Sequence, residues 1–397
     1  MRLNLKARFR PVNPMDKFAD IRPYADDEVA DVIQRLLDEP EMLGAVAALR
    51  IPRIYKWLPK LIRPALRFML RREFKDVSSV RGFQVFVKHY MDQMIESSTR
   101  EFTVSGCDQL KPRQAYLFIS NHRDIALDPA FVNYALYHNG GDTVRIAIGD
   151  NLLTKPWASD LMRLNKSFIV RRSAKAPRQM LAAFRQLSEY IRYSLLEDNE
   201  SVWIAQREGR AKNGNDRTEA AMIKMIGMAQ DKATESFADY INKLNIIPVS
   251  ISYEWDPLDE AKAQELTAIE RDGAYQKAEH EDLKSIASGI TGNKGHVHVH
   301  FAAPLQGDFA DANAVAAALD NAIISNYRLH PSNLLAYAAL NQDEGWKNLA
   351  EAKVISEADQ QQFNQHFEAM PASYRQKAME IYARPVANKL AQLAQAA

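Results

Sequence analysis

The stretch "SNHRDIALDP", residues 120–129, sets an imidazole close to two carboxylates: His122 is followed by Asp124 and Asp128. The run before it, "AYLFI" at 115–119, is apolar, rich in β-forming residues and too short for a helix, which predicts a buried strand. Asn121 and His122 then fall in the loop at the strand's end, where open α/β sheets place their chemistry. A histidine fixed in one tautomer by a carboxylate can act as a general base. The competing reading is a loop histidine making a structural hydrogen bond.

Three further blocks follow apolar runs in the same way. "NKSFIVRRS" puts Arg171 and Arg172 directly after one, and "SVWIAQREGRAKNG" puts Arg207, Glu208, Gly209, Arg210 and Lys212 after another. "NIIPVSISYEWDP" reads as a strand interrupted by Pro248. Paired arginines suit a phosphate, which guanidinium grips bidentately, and a glycine among charges lets backbone approach a ligand. Thr218 reads as the cap of the following helix, with Glu219 in its first turn. Each block alone is a surface ion-pair cluster as readily as a site. Their shared position after successive strands argues for one site.

In order and spacing these blocks, across about 110–255, resemble the glycerolipid acyltransferases of the glycerol-3-phosphate and lysophosphatidate type. "SNHRDIALDP" resembles the family's His-and-Asp motif, "SFIVRRS" its second motif, "REGRAKNG" its Glu-Gly loop and "IIPVSISYE" its proline-bearing strand. Two departures stand out. Five residues, not four, separate His122 from Asp128, and Gly209 and Arg210 are adjacent where the family has one residue between them. Either each loop absorbs one residue, or the roles move to Asp124 and Lys212; Pro129 after Asp128 favours Asp128. The resemblance implies that His122 takes the proton of an acceptor hydroxyl as its oxygen attacks an acyl thioester, with Asp128 orienting the ring. It also implies that Arg171, Arg172, Arg210 and Lys212 hold an acceptor phosphate, with Glu208 ordering that loop or bonding an acceptor hydroxyl and Gly209 letting the backbone approach the ligand. The donor would be acyl-CoA or an acyl-carrier protein, used as substrate, with no cofactor and no metal. The acceptor would be glycerol-3-phosphate or 1-acylglycerol-3-phosphate; another lipid alcohol such as a lyso-aminolipid, hydrolysis by the same dyad, and a non-catalytic lipid-binding scaffold are the rivals.

The elements that must position these residues follow from the texture of the chain. Short apolar runs ("AYLFIS", "TVRIAIG", "KSFIVRR", "SVWIAQ", "NIIPVSISYE", "HVHVHF") alternate with helical patterns, which predicts an α/β domain with a mostly parallel sheet flanked by helices. Three regions result: an N-terminal arm and helical region at 1–104, the α/β domain at 105–305 and a helical C-terminal region at 306–397. Residues 1–25 read as a proline-bearing, mostly irregular arm, and "VRGFQVFVKHYMDQMIESSTREF" as helix throughout. His296, His298 and His300 alternate on one strand face, an exposed face in preference to a metal site.

With 397 residues, 47% hydrophobic and 25% charged, the chain can bury a large core. A net charge of +1 gives no global pull toward nucleic acid. The single cysteine, Cys107, suits a reducing compartment and reads as a small apolar residue. Neither a signal peptide nor an apolar stretch of spanning length is recognised, so a soluble or peripheral cytoplasmic protein is expected. One segment is unusual: "RIPRIYKWLPKLIRPALRFMLRREFK", 50–75, carries nine basic residues against one acid, interleaved with Tyr55, Trp57 and Phe68. That pattern fits a docking element for an anionic membrane surface. A helical cap with a solvated basic face is the alternative, and no nucleic-acid module accompanies the charge.

Overall fold

The computed structural model describes residues 14–174, 176–278 and 281–396. A seven-stranded sheet forms its centre: β1 Glu101–Ser105, β2 Leu117–Ser120, β3 Arg145–Gly149, β4 Ser167–Val170, β5 Val202–Ala205, β6 Ile246–Tyr253 and β7 His296–Phe301. Their order is β1-β7-β6-β2-β5-β3-β4, with β2 in the middle. Every pairing is parallel except β6 with β7, so the sheet is mostly parallel, as the alternating pattern predicts. All six expected strands are present. The seventh, β1, was hidden in the segment read as helix, and it crosses the expected division after residue 104. "EFTVS" alternates over only five residues, and its hydrogen-bonded partner lies almost two hundred residues away. Nor does Pro248 interrupt β6. It stands where the ladder to β7 begins, with Val249 opposite Phe301, and its carbonyl accepts from Ala302 N at 2.9 Å.

Helices α1 Val29–Asp38, α2 Pro40–Arg50, α3 Pro52–Trp57, α4 Pro59–Glu73 and α5 Val80–Ser98 precede the sheet. Within it run α6 Leu127–His138, α7 Pro156–Leu164, α8 Pro177–Leu196, α9 Ala220–Ile226, α10 Phe237–Lys243, α11 Asp259–Asp272 and α12 Glu281–Thr291. After it come α13 Ala312–Ser325, α14 Pro331–Leu340, α15 Glu357–Ala369 and α16 Ala372–Ala396. Strand alternation divides the core. Leu117, Ile119 and Ile246 face α8, α9, α10 and α13, while Phe118, Val249 and Ile251 face α5 and α6. Helices α11, α14, α15 and α16 form a cluster around Trp255 and Tyr382, and α1, α2, α4 and α5 another around Val32 and Leu70. Burying each such large side chain is worth roughly 1.5–3 kcal/mol.

The expected arm is partly outside the described residues, since 1–13 lie there. The rest is irregular apart from one short 3-10 turn, yet it is packed against the domain. Pro14–Phe18 forms a 3-10 turn, Phe18 and Ile21 are buried in the main core, and Ile21 O accepts from Ile169 N at 2.9 Å beside the edge strand β4. Thr218 does not cap α9 with its side chain; its N–H donates to Asp320 and its hydroxyl to Gln206.

The histidines of β7 share a face, as alternation requires, but the face is covered. His296 is buried and the other two are half-buried. Thr103 Oγ1 lies 2.6 Å from His296 Nε2 and 2.7 Å from His298 Nδ1, and Ser105 Oγ bridges His298 and His300 at 3.0 and 2.7 Å. The His330 ring stacks edge-on at 5.1 Å from His296. Among the described residues no group of three metal-ligating side chains could hold an ion. Burial, reinforced by Arg328 and the neighbouring rings, pushes His298 down to about 4 and His330 well below its ordinary value. Burial lowers His300 too, and lowers His296 although Glu101 opposes it. These rings are neutral in the native state, whereas the unfolded chain binds protons as pH falls below about 6.5. Their contribution to stability is therefore complete above that pH and is lost as pH falls toward 4. Urea midpoints measured at pH 7.5, 6 and 5 should fall progressively, and His298→Gln should flatten the slope.

Candidate active site

Every polar block singled out in the sequence lies just beyond the carboxyl end of a parallel strand: His122 after β2, Arg171 after β4 and Arg207 after β5. The twisted sheet gathers those ends, so residues 85 positions apart in sequence come to one edge. Asn121 fastens the centre of that edge. Its Nδ2 donates to Ile251 O at 2.9 Å and its Oδ1 accepts from Ile251 N at 2.8 Å, so the amide replaces a missing rung between β2 and β6.

His122 Nδ1 lies 2.8 Å from Asp128 Oδ2, and Asp128 is wholly buried. The same oxygen accepts from Arg123 N at 2.6 Å and Asp124 N at 3.0 Å, while Oδ1 accepts from the Tyr253 hydroxyl at 2.6 Å. With Nδ1–H donating to Asp128, Nε2 is the ring's basic nitrogen, and the ring lines the large cavity described below. Trp203 packs edge-to-face on the ring, with centroids 6.1 Å apart, and its indole N–H donates to Ser120 Oγ.

Asp124 does different work. Its Oδ1 accepts from Ala126 N and Leu127 N, both at 2.9 Å, which ties down the turn entering α6. Burial and the nearby Asp128 charge push its carboxyl above the usual range. The loop is shaped as well by a buried ion pair, Arg123 to Asp216 at 2.6 Å. Burial raises Asp216, and Arg123 opposes that rise. Lys262 Nζ donates to Arg123 O at 2.8 Å. The loop after β5 hangs on the same place, for Ala211 N donates to His122 O at 2.8 Å.

A cavity of about 1790 Å³ runs from His122 between the sheet and the N-terminal helices. That exceeds the roughly 300–1000 Å³ of an ordinary small-ligand pocket. Its wall is mainly apolar, with Leu36, Met42, Phe83, Met91, Met162 and Phe184 among the residues lining it. Arg171, Arg172, Arg207, Glu208 and Glu219 also line it. Arg172 lies 3.6 Å from Glu208, and Arg207 3.6 Å from Glu219. Arg171 is paired with Asp20 of the arm. Gly209, Arg210 and Lys212 are not on the cavity wall; Lys212 pairs with Glu265 of α11, and Gly209 has φ +70° in an open loop. Sequence reasoning missed Tyr253 and Asp216, and named Arg207 in its block without giving it a role. Tyr253 had a signal, a tyrosine closing an apolar strand in phase with Val249 and Ile251; Asp216 had none. Cys107 has no part in the site, and burial pushes its thiol up to about 12.

A histidine–carboxylate pair at the edge of a parallel sheet, facing a long apolar cavity, equips a protein for acyl transfer. Residues 101–252, from β1 through nearly all of β6, match the model of the Acyltransferase family, and the chain is an O-acyltransferase. This agrees with the resemblance carried by the four motifs. No curated protein sequence matches the chain. Among solved structures, the 1-acyl-sn-glycerophosphate (LPA) acyltransferase PlsC from Thermotoga maritima is similar at 12% identity, over 74% of this chain and 94% of that one, with a TM-score of 0.36.

The two aspartates should separate in a thermal melt. Asp124→Ala should cost about 1 kcal/mol, the usual loss for a helix-entry cap, while Asp124→Asn, which keeps an accepting oxygen, should melt near wild type.

Proposed function

We propose that this chain moves a fatty acyl group from an acyl-CoA or acyl-carrier-protein thioester to a hydroxyl of glycerol-3-phosphate or 1-acylglycerol-3-phosphate. The observation that carries the reading is the His122–Asp128 contact beside a cavity that is apolar along its length and cationic at Arg172 and Arg207. His122 Nε2 takes the acceptor's hydroxyl proton as that oxygen attacks the thioester carbonyl. Asp128 fixes the ring and stabilises the imidazolium, the logic of a hydrolase triad with the substrate alcohol in place of serine. When the tetrahedral intermediate collapses, the carbon–sulfur bond breaks and His122 returns the proton to the leaving thiolate. The acyl chain lies in the apolar cavity. Arg172 and Arg207 hold the phosphate, since guanidinium favours a phosphate over a lone carboxylate partner 3.6 Å away.

The same reading sets the protein peripherally on the cytoplasmic face of an anionic membrane. Among the described residues no helix is long and apolar enough to cross a bilayer. Helices α3 and α4 are two-faced. Leu66 and Leu70 pack into the N-terminal cluster, while Trp57 is 81% and Phe68 73% exposed, with Leu61 beside them. Arg67 pairs with Asp38 and Arg63 reaches Tyr55 at 2.9 Å, yet Arg53, Lys56 and Lys60 are exposed beside the bare aromatics. One segment thus supports both the cap and the docking readings, on opposite sides.

Purified protein given acyl-CoA or acyl-carrier protein and a panel of glycerol-phosphate, lysophosphatidate and lyso-aminolipid acceptors tests the chemistry by mass spectrometry. Transfer to the phosphorylated glycerols is expected. Acylation of another alcohol alone, or release of free fatty acid without acceptor, overturns it. In that assay His122→Ala should abolish transfer, and Asp128→Asn should cost on the order of 10⁴, by analogy with the orienting aspartate of a serine protease. Arg172→Ala should raise the acceptor KM about ten- to a hundredfold, with the donor KM little changed.

Vesicle co-sedimentation tests the surface. Each exposed base near anionic lipid contributes about 1 kcal/mol. Changing Arg53, Lys56 and Lys60 together to Gln should therefore markedly weaken binding to anionic vesicles without altering its melt. Wild-type binding should weaken but persist at high salt, because Trp57 and Phe68 insert independently of charge.

A further inference from the structure

Tyr253 ends β6 and sends its hydroxyl to Asp128 Oδ1 at 2.6 Å, on the oxygen that His122 does not use. We infer that Tyr253 is a positioning residue of the acyl-transfer reaction, a third member that holds Asp128 in register and sets how strongly its carboxylate draws on the His122 proton. The inference rests on the roles given above to His122 and Asp128, and adds to them.

Three observations support it. First, the phenol is buried, and its ring meets Phe131, one turn beyond Asp128 on α6, at 5.8 Å, so the hydroxyl has one approach to the carboxylate. Second, the Asn121 clip grips β6 at Ile251, two residues earlier and on the same face, while Asn121 itself precedes His122. The distance between the phenol and the imidazole is thereby tied through one rigid rung. Third, the proton's place is determined. An ionised Asp128 only accepts, and burial, with the charges of Asp128 and Asp124, keeps the phenol protonated far above neutral pH. Tyr253 is thus a donor throughout turnover.

The consequence follows from the chemistry of a shared acceptor. A donor on Oδ1 withdraws charge from the carboxylate and so weakens its hold on Nδ1–H. Without the hydroxyl, Asp128 favours imidazolium more, and the affinity of His122 for a proton rises. Other charged or titratable groups facing this pair are Asp124 in the turn, Asp256 after β6, and Asp216 and Tyr327, both of which feel the Asp128 charge.

Tyr253→Phe keeps the ring and removes one oxygen. It should lower kcat on the order of ten- to a hundredfold, the range for losing a hydrogen bond to a charged group, with both KM values unchanged. The acidic limb of kcat/KM should move to higher pH, and the His122 ring, followed by NMR in the resting enzyme, should titrate higher. In an Asp128→Asn background the same change should have no further effect, because Tyr253 acts through that carboxylate. Equal losses in both backgrounds, or an unmoved NMR titration in a folded variant, overturn the inference. A raised His122 titration in a protein that transfers to no phosphorylated acceptor supports the positioning role while the acceptor assignment fails.

Discussion

A carboxylate with no exposed surface, Asp128, is the constraint around which this site is arranged. An unpaired buried charge would cost several kcal/mol, so each of its lone pairs must find a donor. Two backbone N–H groups of the turn, the imidazole and a phenol supply four. They come from two pieces of chain, the loop after β2 and the end of β6, and meet the carboxylate at the start of α6. Satisfying one charge therefore fixes the geometry of three elements, and the histidine is the one donor among the four suited to proton transfer.

Function and stability draw on the same contacts here. The five-residue spacing between His122 and Asp128 is accommodated because Asp124 closes the extra turn with its own side chain, and the Arg123–Asp216 pair anchors the loop from beneath. The two carboxylates of the motif thus divide the work by environment: one caps backbone N–H groups, the other faces the imidazole.

The cavity arises from a different physics. The N-terminal helices pack on one another through Val32, Leu36 and Leu70 but leave apolar surface facing α5, α7 and the sheet, and the space between stays open. Such a volume, lined by flexible methionines and by aromatics, suits a long flexible chain better than a rigid polar one. Its polar end, with Arg172 and Arg207, lies on loops held by β4 and β5, so the apolar and ionic surfaces are supplied by separate layers of the fold.

Local pattern alone determined a great deal. Six short apolar runs bounded by polar loops can bury their residues only as strands of a covered sheet, and a chain that alternates them with helices builds it largely parallel. From that, the placement of His122, Arg171, Arg172 and Glu208 at strand ends followed. What the sequence could not specify was anything that depends on distant partners. Strand β1 is too short to announce itself without β7, and the β7 histidines seem exposed until the chain around His330 is folded over them. Arg171 and Lys212 have the composition of phosphate ligands; Asp20 and Glu265, far away in sequence, pair with them, and of the two Arg171 lines the cavity. Arg210 and Gly209 are carried off the wall by a loop whose course is set by a hydrogen bond to His122 O. Side-chain type fixes what a residue can do, but hydrogen bonds and ion pairs act over a few ångströms, and only the tertiary structure decides which groups come that close.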